Sequence, residues 1–162
     1  MTEFISPQTL EIFGQLALAA FLGSLIGVER KLAHKTAGIR TFALVALGSA
    51  LFTIIPQVVF VNFAGTSYDP SRIASQVVVG IGFIGAGLIV FQQSKVKGLT
   101  TAAGLWVSAA IGMSAAYKLY AISIFTTAVT IFILFFMWFI EHRVIGRLRG
   151  ASGGKDEQED EE

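Results

Sequence analysis

The 162-residue chain contains no cysteine, which excludes disulfides and thiolate-ligated metals. It carries no acidic residue between Asp69 and Glu141. That gap decides how Gly80-Ile-Gly82-Phe-Ile-Gly85 is read, although its spacing matches a dinucleotide-binding loop. Such a loop needs a preceding strand, a helix opening at the glycines and an acid about twenty residues later. These glycines sit instead inside a long apolar run. No His-Glu-x-x-His, no nucleophile beside a base and no cluster of metal-ligating residues occurs, so neither an enzyme nor a cofactor is expected. The two histidines, His34 and His142, lie in basic segments and read as solvated. Charge as a whole is scarce, at 14 % of residues against 54 % hydrophobic.

What is present is a set of five apolar runs, Thr9 to Val28, Thr41 to Phe63, Ile73 to Phe91, Leu99 to Tyr117 and Ala121 to Ile140. Each approaches the ~20 residues an α-helix needs to cross ~30 Å of hydrocarbon. The sequence therefore predicts an all-α polytopic membrane protein with five transmembrane helices. One five-helix membrane domain covers 1–149, followed by a disordered acidic tail, 150–162, with six acids among Asp156 to Glu162. Of the twelve basic residues, ten fall in alternate connections: Arg30, Lys31, Lys35 and Arg40; Lys95 and Lys97; and Arg143, Arg147, Arg149 and Lys155. Only Arg72 and Lys118 fall on the other side. Basic residues are retained in the cytoplasm, which puts the N-terminus out and the C-terminus in. The leader Met1 to Ser6 carries Glu3 and no basic residue, so the first span is not expected to be a cleaved signal peptide.

Local signals mark the helix ends. Ser6-Pro7 and Asp69-Pro70 each read as an N-cap followed by proline at the first helical position. Pro56 should kink the second helix or mark its outer end. Tyr117-Lys-Leu-Tyr120 reads as an external turn with interfacial aromatics. The last span is the greasiest, with Phe125, Phe132, Phe135, Phe136, Trp138 and Phe139, and suits a lipid-facing edge or a partner surface.

Small residues point to the packing faces. Thr100, Gly104, Ser108, Gly112 and Ala116 recur every four residues, so they share one face of the fourth helix. Such faces let backbones approach closely in membranes. Gly80 with Gly87, and Gly82 with Ala86 beside Gly85, give the third helix two small faces, from which packing on both sides is expected. Gly23 and Gly27 do the same for the first. This surplus of small faces predicts a homodimer. An offset of sixty residues also pairs Gly27 with Gly87, Lys35 with Lys95, Gly38 with Gly98, Thr41 with Thr101, Ala43 with Ala103 and Ala50 with Ala110. Two parallel copies of one helical hairpin would produce that pattern.

Two charged groups stand out. Glu29, Arg30 and Arg40, with Thr41, lie at the cytoplasmic ends of the first two helices. Arg40 sits at the positive end of a helix dipole, where a cation is disfavoured unless offset. Glu29 is the nearest acid along the chain and at the same depth, so a Glu29–Arg40 pair is expected, with Arg30 joining it or meeting lipid phosphate. A plain topology signal is the alternative. On the outer side Asp69 and Arg72, three apart, form a second expected pair. Capping accounts for Asp69; one carboxylate rarely holds a hard cation, so whether a metal binds is left open. Glu11, one turn into the first helix, is costly within lipid unless it reaches the interface.

Several stretches, taken in order, resemble the MgtC/SapB family of bacterial membrane proteins. They are Phe21-Leu-Gly-Ser-Leu-Ile-Gly-Val-Glu-Arg30, Ala37-Gly-Ile-Arg-Thr41, Asp69-Pro-Ser-Arg72, Val79-Gly-Ile-Gly-Phe-Ile-Gly-Ala-Gly-Leu-Ile89 and Gly98-Leu-Thr-Thr-Ala-Ala103 through Trp106 to Gly112. The resemblance spans about Leu10 to Ile140. It implies a five-helix protein of the bacterial inner membrane, linked to adaptation to low magnesium, survival in macrophages and acid resistance. It further implies a regulator that acts on a membrane protein such as the ATP synthase or a sensor kinase, rather than a magnesium carrier. The motif positions it marks are Glu29, Arg30, Arg40, Thr41, Asp69, Arg72 and the glycines of the third helix. Virulence members carry a sizeable cytoplasmic C-terminal domain, and this chain resembles a short form without it. From the residues, two functions stand: a non-enzymatic regulator, or a small magnesium or proton transporter. The bilayer and a second copy are the expected partners; nucleic acid is not.

Overall fold

A computed structural model describes residues 6–60, 69, 71–92 and 95–140. Five helices carry the chain: α1 (Pro7–Leu32), α2 (Ile39–Phe60), α3 (Ser71–Leu88), α4 (Leu99–Ala116) and α5 (Tyr120–Ile140). Between α3 and α4 lies a two-stranded antiparallel hairpin, β1 (Val90–Gln92) and β2 (Lys95–Lys97), with Val90 opposite Lys97. The sequence predicted apolar helix as far as Phe91 and then a turn. Helix α3 instead stops at Leu88, because Val90, Phe91 and Val96 suit an extended chain and Gly98 takes the left-handed φ of 92° that lets α4 begin.

Helices α1, α2, α4 and α5 are long and apolar enough to cross a membrane by length and composition; α3 is a shorter apolar helix. Their outward faces are hydrophobic, as the exposed Phe13, Phe21, Phe52, Phe83, Phe125 and Phe132 show. Lipid, not water, is the solvent such a surface fits.

Helix α1 starts where expected: the Ser6 hydroxyl accepts the Thr9 N–H at 3.2 Å, and Pro7 opens the helix. Pro56 is buried inside α2, four residues before its end. Helix α4 is the hub and packs on all four others, while α1 and α2 pack closely on each other. The centre is Phe42 of α2, fully buried. A Cβ on Gly23 of α1 would stand 2.6 Å from the Phe42 carbonyl oxygen, and one on Gly104 of α4 would stand 3.2 Å from the Phe42 ring. Ser108 of α4 donates its hydroxyl to the same carbonyl at 3.0 Å. One turn further, Gly112 lies against the Ala46 carbonyl so closely that any side chain would collide with it. Gly104, Ser108 and Gly112 are thus the close-packing seam against α2.

The third helix departs from expectation. Of its glycines only Gly85 touches a neighbour, at 3.5 Å from the Ala102 methyl; Gly80, Gly82 and Gly87 face open space. Helix α3 stands at the edge of the bundle, packed mainly on α4 and lightly on α2. It therefore packs on one side and, among the described residues, leaves its second small face uncovered. Helix α5 turns its hydroxyls inward: Ser123, Thr127 and Thr130 are buried, and Ser114 and Ser123 share a 2.8 Å hydrogen bond that ties α5 to α4.

Candidate functional site

Four connected helix ends meet at one face of the bundle: the last turn of α1, the first turns of α2 and α4, and the last turn of α3. Arg30 lies in the last turn of α1, where a cation suits the helix dipole. Its side chain is only 3 % exposed and that of Glu29 14 %. The Arg30 guanidinium meets the Glu29 carboxylate twice, Nη2 at 2.7 Å from Oε1 and Nε against Oε2. Adjacent helical residues do not face each other, so the long Arg30 chain folds back over its neighbour.

The expected Glu29–Arg40 pair is not formed. Glu29 pairs with Arg30, and Arg40 makes no ion pair or side-chain hydrogen bond among the described residues. Burial explains the choice. An uncompensated buried charge costs several kcal/mol, so the carboxylate goes to buried Arg30, while Arg40 is exposed at its helix end. The connection itself is held by the Ala33 N–H on the Glu29 carbonyl at 2.9 Å and the Lys35 N–H on the Arg30 carbonyl at 3.0 Å. His34 takes a left-handed φ of 55° there and is exposed. His142 lies outside the described residues, as do the basic cluster from Arg143 and the acidic tail.

Arg40 instead stands at the rim of a groove between α2 and α3 with a volume of about 640 Å³. Thr41, half-buried, lines it beside Arg40, followed by Leu44 and Phe52 on α2 and Ile73 and Ile84 on α3. Gly48 and Gly80 also line this groove, and neither has any atom within 4 Å of a Cβ built on it. The groove was not legible in the sequence; the unspent glycines of the third helix were its one signal.

At the opposite face, Asp69 and Arg72 are joined through the backbone, the Arg72 N–H donating to the Asp69 carbonyl at 3.2 Å in the opening turn of α3. A pair that sequence reasoning missed links Glu11 to Lys118 at 2.8 Å, clasping the start of α1 to the α4–α5 turn. Both residues had been placed on the same side, which was the available signal. The Glu11 carboxylate accepts from the ammonium and raises the Lys118 pKa above its ordinary 10.5. Close by, Gln15 donates to the Ala116 carbonyl at 3.4 Å. Among the described residues no three of His, Cys, Asp and Glu gather where they could hold a metal ion.

Five helices with lipid-compatible outer faces, packed through glycine seams and carrying their charges at the helix ends, define a polytopic all-α membrane protein. The MgtC family matches residues 16–143, and the chain belongs to that family. It is 44 % identical over 129 residues to the protein of Escherichia coli (strain K12) named "Putative magnesium transporter YhiD", covering 78 % of this chain and 60 % of that one. It is 50 % identical over 98 residues to "Protein MgtC" of Brucella abortus (strain 2308), covering 60 % of this chain and 39 % of the relative. For "Protein MgtC" of Salmonella typhimurium (strain 14028s / SGSC 2262) the figures are 50 % over 99 residues, 60 % and 40 %. The chain thus spans between two fifths and three fifths of the length of these curated relatives. No solved structure matches.

Proposed function

We propose that this chain is a non-enzymatic regulator in the bacterial cytoplasmic membrane, N-terminus out and C-terminus in, which acts by contact with another membrane protein under magnesium limitation or acid stress. The observation that carries this reading is the closed interior. The seam of Gly23, Gly27 and Gly112 brings α1 and α4 against the α2 backbone, and Gly104 admits the Phe42 ring. The buried hydroxyls of Ser108, Thr53 and Thr127 are spent on backbone carbonyls. Ion paths instead place ionisable groups or unwound backbone at mid-depth, and here the Gly80–Gly87 stretch is regular helix. What the molecule presents outward is apolar surface on α3 and α5, which fits a second copy or a partner helix, and the Glu29–Arg30 pair with Arg40 at one end. The pair serves as a latch that holds the docking end in shape.

The second reading, a small magnesium or proton transporter, is favoured by the name of the Escherichia coli relative. Magnesium and proton flux into liposomes carrying the purified, folded chain tests both. A regulator gives no flux above empty liposomes. Flux that disappears with Glu29→Gln in protein that still elutes as a folded species makes the chain a transporter.

A further inference from the structure

We infer that the groove between α2 and α3 binds one acyl chain of an anionic phospholipid, with the lipid phosphate held on Arg40. This inference stands on the membrane fold alone and is independent of whether the chain regulates or transports.

Length is the first argument. The groove runs along α2 from Arg40 to Phe52, twelve residues that rise about 18 Å at 1.5 Å each. That is close to the length of one acyl chain, since half of the ~30 Å hydrocarbon core is ~15 Å. Chemistry is the second. The walls are mainly aliphatic and aromatic, Leu44, Phe52, Ile73 and Ile84 among them, with the polar Ser49 and Gln76 as well, and among the described residues no carboxylate lines the groove.

Charge complementarity is the third. Arg40 marks the end of the groove that lies at the membrane surface, and among the described residues its guanidinium has no counter-ion. The Glu29 carboxylate, at the same end of the bundle, is taken by Arg30. Thr41 puts a hydroxyl at the same rim. The first turn of α2 adds positive potential there, because Gly38 has no side chain with which to cap it. A guanidinium with no partner among the described residues, at a membrane surface and above an apolar slot of acyl-chain length, is the complement of a phosphate carrying an acyl chain.

The test uses the full chain, purified in detergent and examined by native mass spectrometry with phosphatidylglycerol and phosphatidylcholine of identical acyl chains. The wild type should retain phosphatidylglycerol about fivefold better, the contribution of one basic residue at an anionic surface. Arg40→Gln should bring that ratio to one and leave phosphatidylcholine retention unchanged. Gly48→Leu with Gly80→Leu should fill the slot and lower retention of both lipids; a Cβ at either position meets no atom within 4 Å, and elution as a folded species confirms that the variant folds. A wild-type ratio of one, or the same ratio after Arg40→Gln, overturns the phosphate contact. Unchanged retention in the double leucine variant overturns the groove. A photoreactive diazirine leucine at position 44 in native membranes gives an independent reading: an adduct with the mass of one phospholipid supports the proposal, whereas a link to a second copy or another polypeptide overturns it.

Discussion

In the hairpin of α1 and α2, a Cβ on Gly27 would stand 2.5 Å from the Ile39 Cα; in the hairpin of α3 and α4, Gly87, sixty positions later, faces nothing within 4 Å. The two hairpins share a register, since α2 begins at Ile39 and α4 at Leu99, also sixty apart. Yet they are packed in opposite ways. The first is sealed by Gly23 and Gly27 and carries the Glu29–Arg30 pair at its tip. The second touches through Gly85 and Ala102, ends in a β-hairpin of lysines and valine, and leaves a groove on its flank. A glycine in a membrane helix is therefore not a packing site by itself. It becomes one where the partner backbone comes within reach, and the same letter elsewhere is an opening.

Substitutions at matched positions should separate the hairpins most sharply. Gly27→Val should cost about 3 kcal/mol or more, because the obstructing atoms are Ile39 backbone and cannot turn aside. Gly87→Val should change stability by under ~1 kcal/mol, close to the difference in helix propensity alone. Unfolding in mixed micelles with increasing denaturing detergent reads both, and similar losses at the two positions would erase the distinction.

The charged tip offers the next contrast. Glu29→Gln leaves the guanidinium of Arg30 buried without its carboxylate and should destabilise the fold by about 3–5 kcal/mol. Arg40→Gln, at an exposed residue with no partner among those described, should cost no more than ~1 kcal/mol. The same unfolding assay ranks them; equal losses would mean that Arg40 holds a structural contact after all. Ser108→Ala removes the hydroxyl bond across to Phe42 and should cost ~0.6 kcal/mol, the usual size of such bonds between membrane helices.

The smallest effect belongs to the outer clasp. The Lys118 pKa is raised by its Glu11 partner, so its contribution is complete below the unfolded lysine value and is lost as pH rises through the folded one. Melting should therefore be flat in pH near neutrality and fall slightly on passing above 10.5, and Glu11→Gln should remove that alkaline step. Melting curves of the two proteins across the alkaline range check it.

The class of the fold was legible because apolar runs, basic connections and the every-fourth small residues of α4 are each direct consequences of a lipid solvent. Spacing put Gly104, Ser108 and Gly112 on one face of α4, and that face meets α2 at Phe42 and Ala46. For helix α3, spacing gives the face on which the glycines lie but not whether another part of the chain stands opposite. The Glu29–Arg40 expectation failed for a related reason. Sequence distance placed both basic candidates at one depth, and only burial could show that Arg30 had the stronger claim on the carboxylate. The Glu11–Lys118 clasp joins chain positions far apart, beyond any local pattern.

Phe42 has a consequence for synthesis. Its carbonyl receives Gly23 from the first helix made and Ser108 from the fourth. The chain leaves the ribosome N-terminus first, so α1 and α2 are seated before α4 exists, and the finished hairpin is the template on which α4 docks. A lesion at Gly23 should thus trap an early insertion product that proteases clear, whereas one at Gly104 should leave a first hairpin already formed and waiting.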